Sequence, residues 1–307
     1  MQPAYSVIFF TTAAGAGYGL LFILVLNATA VAIPLRPVLL LSGLTLAGLL
    51  VTAGLLSSTL HLGHPERAWR AFSQWRSSWL SREGVLAVVV YPVALGWAWL
   101  VWSATGRSLT FNLLSLLLAL LAALTVYATG QIYASLKAVP AWHRASVPTN
   151  YLLLALMSGA QLMHALQLGL SPRPAASAAL VPASIALAAL GKAWYWWRID
   201  RAPPPSTLGS ATGLGAFGTV SVLTQPHTEE NYLQREMGFV LARKHAWKLR
   251  VLAALGMFVV PLLAYLAGGL SCTVLGALAM AVGLFIERWL FFAQAKHRVM
   301  LFYGGLP

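Results

Sequence analysis

The sequence predicts an all-α, polytopic membrane protein of about eight transmembrane helices packed as bundles. Three observations lead there. Of 307 residues, 59% are hydrophobic and only 9% charged, against about 25% charged in a typical soluble domain. So few charges cannot clothe a surface in water-binding groups, and the mean hydropathy is +0.75. The apolar runs are long and unbroken, near the roughly 20 residues a spanning helix needs, and do not alternate as barrel strands do. In hydrocarbon only helices and closed barrels satisfy their backbone polar groups, so helices remain.

The spans read in order as 6–33, 38–61, 83–105, 109–136, 149–170, 175–197, 248–268 and 270–292. The N-terminus lacks the basic region and early cleavage site of a signal peptide, so the first run is expected to stay as a span. Pro34 and Pro37 bracket the first turn, and Gly106 with Arg107 marks the third. Pro140 and Pro148 mark the fourth, Pro172 and Pro174 the fifth, and Gly268–Gly269 a very tight last one. Small residues stripe the first two spans, among them Gly15, Gly17, Gly19, Gly43, Gly48 and Gly54. Such stripes let helix backbones approach closely in lipid. The whole chain, 1–307, reads as one membrane domain with a long loop at 198–247, whose second half from Thr228 to Trp247 looks helical. Cys272 is the single cysteine, which excludes an internal disulfide and a cysteine-ligated cluster, and is expected to be a small core residue.

The formal net charge is +13. No nucleic-acid motif accompanies it, and basic loops facing anionic lipid heads or an acidic partner explain it. With eight spans, both termini and the stretches 61–82, 137–148 and 198–247 share one side. Leaving out Lys192 and Arg288 within spans, that side carries fifteen Lys and Arg; the other holds only Arg36, Arg107 and Arg173. Positive charge marks the cytoplasmic side, so the loop-rich side and both termini are expected there.

Ionisable groups in or beside spans are costly and therefore functional candidates. His61 ends the second span and Glu83 opens the third, with HLGHPERAWRAFSQWRSSWLSRE between them. A carboxylate and an imidazole facing each other can bind the two carbonyl oxygens of a quinone and pass it protons. Trp69, Trp75 and Trp79 can wall the ring. The plainer reading, an interfacial belt of indoles and snorkelling arginines, stays open on composition alone. A bis-histidine haem needs two His at one depth, and no such pair is evident, so no haem and no metal are expected in this chain. His164, the one His well inside a span, is expected to hydrogen-bond Gln161 or Gln131. Glu287 and Arg288, about 100° apart on their helix, need separate partners, while Lys192 beside Trp194, Trp196 and Trp197 reads as a snorkelling anchor.

The run LHLGHPERAW followed by SWLSREG, and the segment IYASLKAVPAWHRASVP, resemble the membrane-anchor subunits of the dimethyl sulfoxide reductase family, and the eight-span layout extends the likeness over nearly the whole chain. The resemblance implies a haem-free anchor in a bacterial inner membrane, reactive with quinone (ubiquinone or menaquinone). Its implied partners are an iron–sulfur subunit with [4Fe-4S] clusters and a molybdenum bis-pterin catalytic subunit. It places the quinone site at His61 and Glu83, with Arg67 at the family arginine, Trp79 beside them and His64 as a lesser contributor. The inward-facing basic side and the opening YSVIFFTTAAGAGYG resemble the anchors of cytoplasmic quinone-linked sulfite dehydrogenases, which implies quinone reduction during sulfite oxidation. A quinol-oxidising anchor of a terminal reductase and a secondary transporter are the alternatives. A transporter predicts inverted repeats and charge near the midplane, whereas the charges here sit at the edges.

Overall fold

Ser78 and Ser108 each place a hydroxyl oxygen over the N–H groups that open a long helix, accepting from Ser81 at 3.5 Å and Phe111 at 3.2 Å. Eight long helices, two of them with such starts, make up most of the computed structural model, which describes residues 4–30, 36–60, 62–104, 106–170, 179–203, 206–224, 229 and 241–303. They are α1 (Tyr5–Thr29), α2 (Pro37–Thr59), α3 (Trp79–Trp102), α4 (Leu109–Ala134), α5 (Ser146–Leu170), α6 (Leu180–Asp200), α7 (Ala246–Ala267) and α8 (Leu270–Ala293). No strand occurs among the described residues.

Seven of the eight are long and apolar enough to cross a membrane, and α6 is the exception. Lys192 and the amphipathic rings of Trp194, Tyr195, Trp196 and Trp197 dilute its hydropathy. It still joins the array, burying Val181, Ile185, Ala188 and Lys192. The helices match the expected spans, with shifts at their ends that have local causes. The Ser78 cap starts α3 at Trp79 instead of 83 and draws Glu83 a full turn into the helix. Helix α5 starts at Ser146, with Pro148 in its first turn, where a missing N–H costs nothing. A π turn at Leu255–Val259 widens α7 ahead of Pro261, whose ring has no room against a regular preceding turn. Of the helix expected from Thr228 to Trp247, Leu241–Lys244 and the start of α7 are helical; most of the rest lies outside the described residues.

Helix α1 sits at the centre and packs against α2, α4, α5 and α8. Ile8, Leu20, Leu24 and Val25 on it are fully buried. Antiparallel pairing with α2 is read from contacts: Gly43 faces Leu24, Gly17 faces Ala47, and Gly54 faces Ala14. The closest approach is α1 to α5, where a Cβ on Gly19 would overlap the Ala155 carbonyl and one on Gly159 would overlap Gly19 itself. That is the small-residue packing expected in lipid, where helices associate through close van der Waals contact. Gly268 and Gly269, with φ of 75° and 79°, make the two-residue turn between α7 and α8. Arg107 donates to the carbonyls of Ala28 and Ala30, both at 2.9 Å, and closes the open end of α1. The array thus has a short-turn face and a loop-rich face. On the latter, Trp142 Nε1 donates to the Phe291 carbonyl at 3.0 Å and the Arg298 N–H to the Ala138 carbonyl at 3.0 Å, pinning the 137–148 loop over α8.

Candidate functional site

Glu83 is 4% exposed, inside the loop-rich end of α3. Its depth is about 6 Å from the helix start, and that of Thr129 about 8 Å from the end of α4, at 1.5 Å per residue. The Thr129 hydroxyl bonds a Glu83 carboxyl oxygen and also lies 3.0 Å from the Thr125 carbonyl. A hydroxyl has one hydrogen but accepts as well. Thr129 can donate to an ionised Glu83, or donate to Thr125 while accepting from a protonated one. The contact therefore serves both protonation states. Tyr18, Tyr133 and Tyr151 lie within electrostatic reach of the carboxyl, and no ion pair joins it to a cation among the described residues.

The connection before α3 folds back over this position. Pro65–Gln74 is helical, the Ser81 hydroxyl bonds the Ala71 carbonyl, and Phe72 packs on Gly84. Arg82 reaches back to the carbonyls of Trp75 at 3.0 Å and Arg76 at 2.7 Å, with its guanidinium over Trp79. Trp79 in turn meets Tyr127 edge-on. The other expected wall residues are elsewhere: Trp69 and Trp75 are 65% and 54% exposed. Arg67 is not beside Glu83 but 3.6 Å from Glu66, which His64 also contacts at 3.0 Å. Glu66 is exposed and adjacent in the chain, so it engages Arg67 without the desolvation that a carboxyl inside the bundle would demand. His61 lies outside the described residues.

Two cavities meet at Tyr18, and Thr129 lines the second of them. One is an apolar cavity of about 260 Å³ between α1, α4 and α5, lined by Tyr18, Gly19, Phe22, Ala122, Ala123, Val126, Leu152, Leu153, Ala155 and Leu156. The other is a polar cleft lined by Thr11, Thr12, Tyr18, Thr129, Tyr151, Ser158 and Arg288. Its water-accessible volume is about 20 Å³, room for a water and not for a ring. The two share Tyr18, Val126 and Ala155, so an apolar chamber meets a polar, proton-competent recess one residue from Glu83.

The sequence reading missed what lies across that cleft. Lys192, Glu287 and Arg288 are 2%, 1% and 3% exposed, not an interfacial anchor. Lys192 Nζ bonds Glu287 Oε1, and Arg288 Nε stands 3.5 Å from Glu287 Oε2. Glu287 and Arg288, the adjacent pair expected to need separate partners, thus contact each other, and Lys192 shares the Glu287 carboxylate with Arg288. Arg288 lies 3.8 Å over the Tyr151 ring and Lys192 4.4 Å over that of Tyr195. Depth was the available signal: Lys192 is about 12 Å and Glu287 about 9 Å from the same face. His164 is also placed differently. Gln161 donates to the Thr273 carbonyl at 3.0 Å and Gln131 to Tyr127 at 2.6 Å, while the His164 ring lies against Tyr265. Cys272 is free and half-buried.

A polytopic helical membrane protein with a carboxyl buried just inside its loop-rich face, bonded to a threonine that lines a small polar cleft, is the class that fold and site define. The chain belongs to the family of DMSO reductase anchor subunits (DmsC), whose model matches residues 1–304. It is 32% identical over 328 residues to a subunit of the sulfite dehydrogenase of Allochromatium vinosum, and the match covers 100% of both proteins. To a subunit of the anaerobic dimethyl sulfoxide reductase of Haemophilus influenzae it is 27% identical over 118 residues, 38% of this protein and 42% of that one.

Proposed function

We propose that this chain is the haem-free, quinone-reactive anchor of a multi-subunit molybdenum/iron–sulfur oxidoreductase, reducing membrane quinone during sulfite oxidation. The observation that carries the reading is the buried Glu83–Thr129 pair beside an apolar cavity of about 260 Å³, close to the small end of ligand pockets at roughly 300 Å³. Support for the sulfite side is the full-length likeness to a sulfite dehydrogenase subunit. The chemistry of the lining fits a quinone: apolar walls for ring and tail, the Tyr18 phenol at the polar end. When bound, a quinone supplies a two-electron acceptor that also takes up two protons. The chain's residues do the rest. Glu83 carries a proton at its carboxyl, Thr129 orients it in either state, and the packed helices exclude bulk water. His61 is retained as the partner of Glu83 in proton delivery. Arg67 and His64, held by exposed Glu66 in the connection before α3, are retained as contributors, as is Trp79, which meets Tyr127. The iron–sulfur subunit, with its [4Fe-4S] clusters, would dock on the loop-rich cytoplasmic face and carry electrons from the molybdenum bis-pterin subunit.

A photoreactive ubiquinone analogue should label peptides of α1, α4 and α5 around Tyr18, Val126 and Leu152, and excess ubiquinone should suppress the labelling. Labelling confined to α7 and α8, or indifferent to competitor, would move the site. Orientation is tested apart from this. Phosphatase fused after Phe302 should be inactive and fused at Arg107 active; the reverse would favour a quinol-oxidising, outward-facing reductase anchor.

A further inference from the structure

A second, charged recess shares no lining residue with the two cavities near Thr129 and Tyr18. A cavity of about 580 Å³ opens on the loop-rich face between the 137–148 loop, the end of α6, the start of α7 and the segment after α8. Its lining includes Arg144, Arg243, Arg250, Lys296, His297 and Arg298, with Asp200 as the one acid among the lining residues. Asp200 is already engaged by Arg250 in a two-point contact at 2.5 and 2.9 Å. Arg144 Nε and Arg250 Nε are buried without hydrogen-bond partners. Burial and the neighbouring Arg243 hold Lys296 below the usual lysine range, and burial lowers His297 too. Arg144, Arg250 and Arg298 line one concave recess, and like charges at close quarters favour a bound anion.

The surroundings say which anion. Pro140, Ala141, Ile199, Ala246 and Leu301 give the same cavity apolar walls. Beside it Trp194, Trp197 and Trp247 are 54%, 44% and 75% exposed, with Arg198 and Arg201 laid over the first two rings. Exposed indoles with arginines mark headgroup depth. Farther along α6 and α7, Leu187, Leu190, Leu255 and Leu263 are exposed. Acyl chains can lie on that adjoining apolar surface while a headgroup occupies the recess.

We propose that this cavity is a binding site for the phosphate headgroup of an anionic phospholipid whose acyl chains lie along the outer face of α6 and α7. Basic pockets between helices at the cytoplasmic side suit such headgroups. The site is independent of the quinone reading. It would tie the 137–148 loop, α6, α7 and the C-terminal segment together through one shared ligand.

The test is native mass spectrometry of the full complex in detergent with added dioleoyl-phosphatidylglycerol, dioleoyl-phosphatidylcholine or sodium phosphate. Phosphatidylglycerol should be retained and the zwitterionic lipid should not. Arg144→Gln with Arg298→Gln should weaken retention about thirtyfold, at the attraction each basic residue contributes near anionic lipid. Arg198→Gln with Arg201→Gln, outside the cavity, should retain it. Equal retention of both lipids, retention unchanged by the cavity variants, or equal occupancy by sodium phosphate alone would overturn the proposal. So would binding of the lipid to the separated anchor but not to the full complex, which would make the recess part of a protein interface.

Discussion

Glu83→Gln is expected to lower quinone-linked turnover by about a hundredfold or more, the range that a positioned acid–base group contributes. The amide keeps the size of the side chain and a hydrogen bond to Thr129, yet it cannot take or release a proton. Assembly, and turnover with an artificial dye at the catalytic subunit, should persist, because Glu83 lies on α3 and the cap at Ser78 that starts this helix is untouched. Glu83→Asp should recover part of the rate, since it restores the proton but shortens the reach to Thr129. Thr129→Val separates positioning from proton transfer. It removes the hydroxyl that holds the carboxyl in either state while leaving the Glu83 proton in place. Its effect should fall on kcat more than on KM, because the hydroxyl faces Glu83 and the cleft and lines no part of the apolar chamber. A Glu83→Gln complex that reduced quinone at the wild-type rate would reduce Glu83 to a buried packing residue and take the proposed site with it.

Helix positions were legible because hydrocarbon imposes one rule on the sequence, a long apolar run, and seven helices obey it strongly. Helix α6 obeys it weakly, and its proline-bounded apolar run still identified it. What composition does not encode is which side chains meet. Glu83 was visible as a costly charge at a span edge, but Thr129 was not, since a threonine in a helix usually bonds its own preceding turn, as Thr129 also does with Thr125. The loop indoles misled for a related reason. Trp69 and Trp75 sit close to Glu83 in sequence, yet the helical turn Pro65–Gln74 directs them outward. The two cavities were illegible altogether, because they arise where α1 approaches α5 at Gly19 and Gly159 and leaves space beside that contact.

The buried charges of α6 and α8 set up the other large effect, and the net charge of the cluster decides its order. Lys192, Glu287 and Arg288 together carry one excess positive charge, spread over the rings of Tyr151, Tyr195 and Trp196. Cation–aromatic contact offsets desolvation when the site is dry. Glu287→Gln leaves two cations facing each other without an anion. It should cost about 3–5 kcal/mol, the range for breaking a buried pair, and lower the thermal midpoint of the detergent-solubilised complex the most. Lys192→Met leaves Glu287 with Arg288 at 3.5 Å, a neutral pair, so its cost should be clearly smaller. Lys192→Met combined with Glu287→Gln removes one of the stranded cations and should be milder than Glu287→Gln alone, a non-additivity expected of groups in contact. If Lys192→Met proved as damaging as Glu287→Gln, Arg288 would not be a counter-ion of Glu287. It would then belong to the polar cleft alone, whose lining it shares with Thr129 and Tyr151.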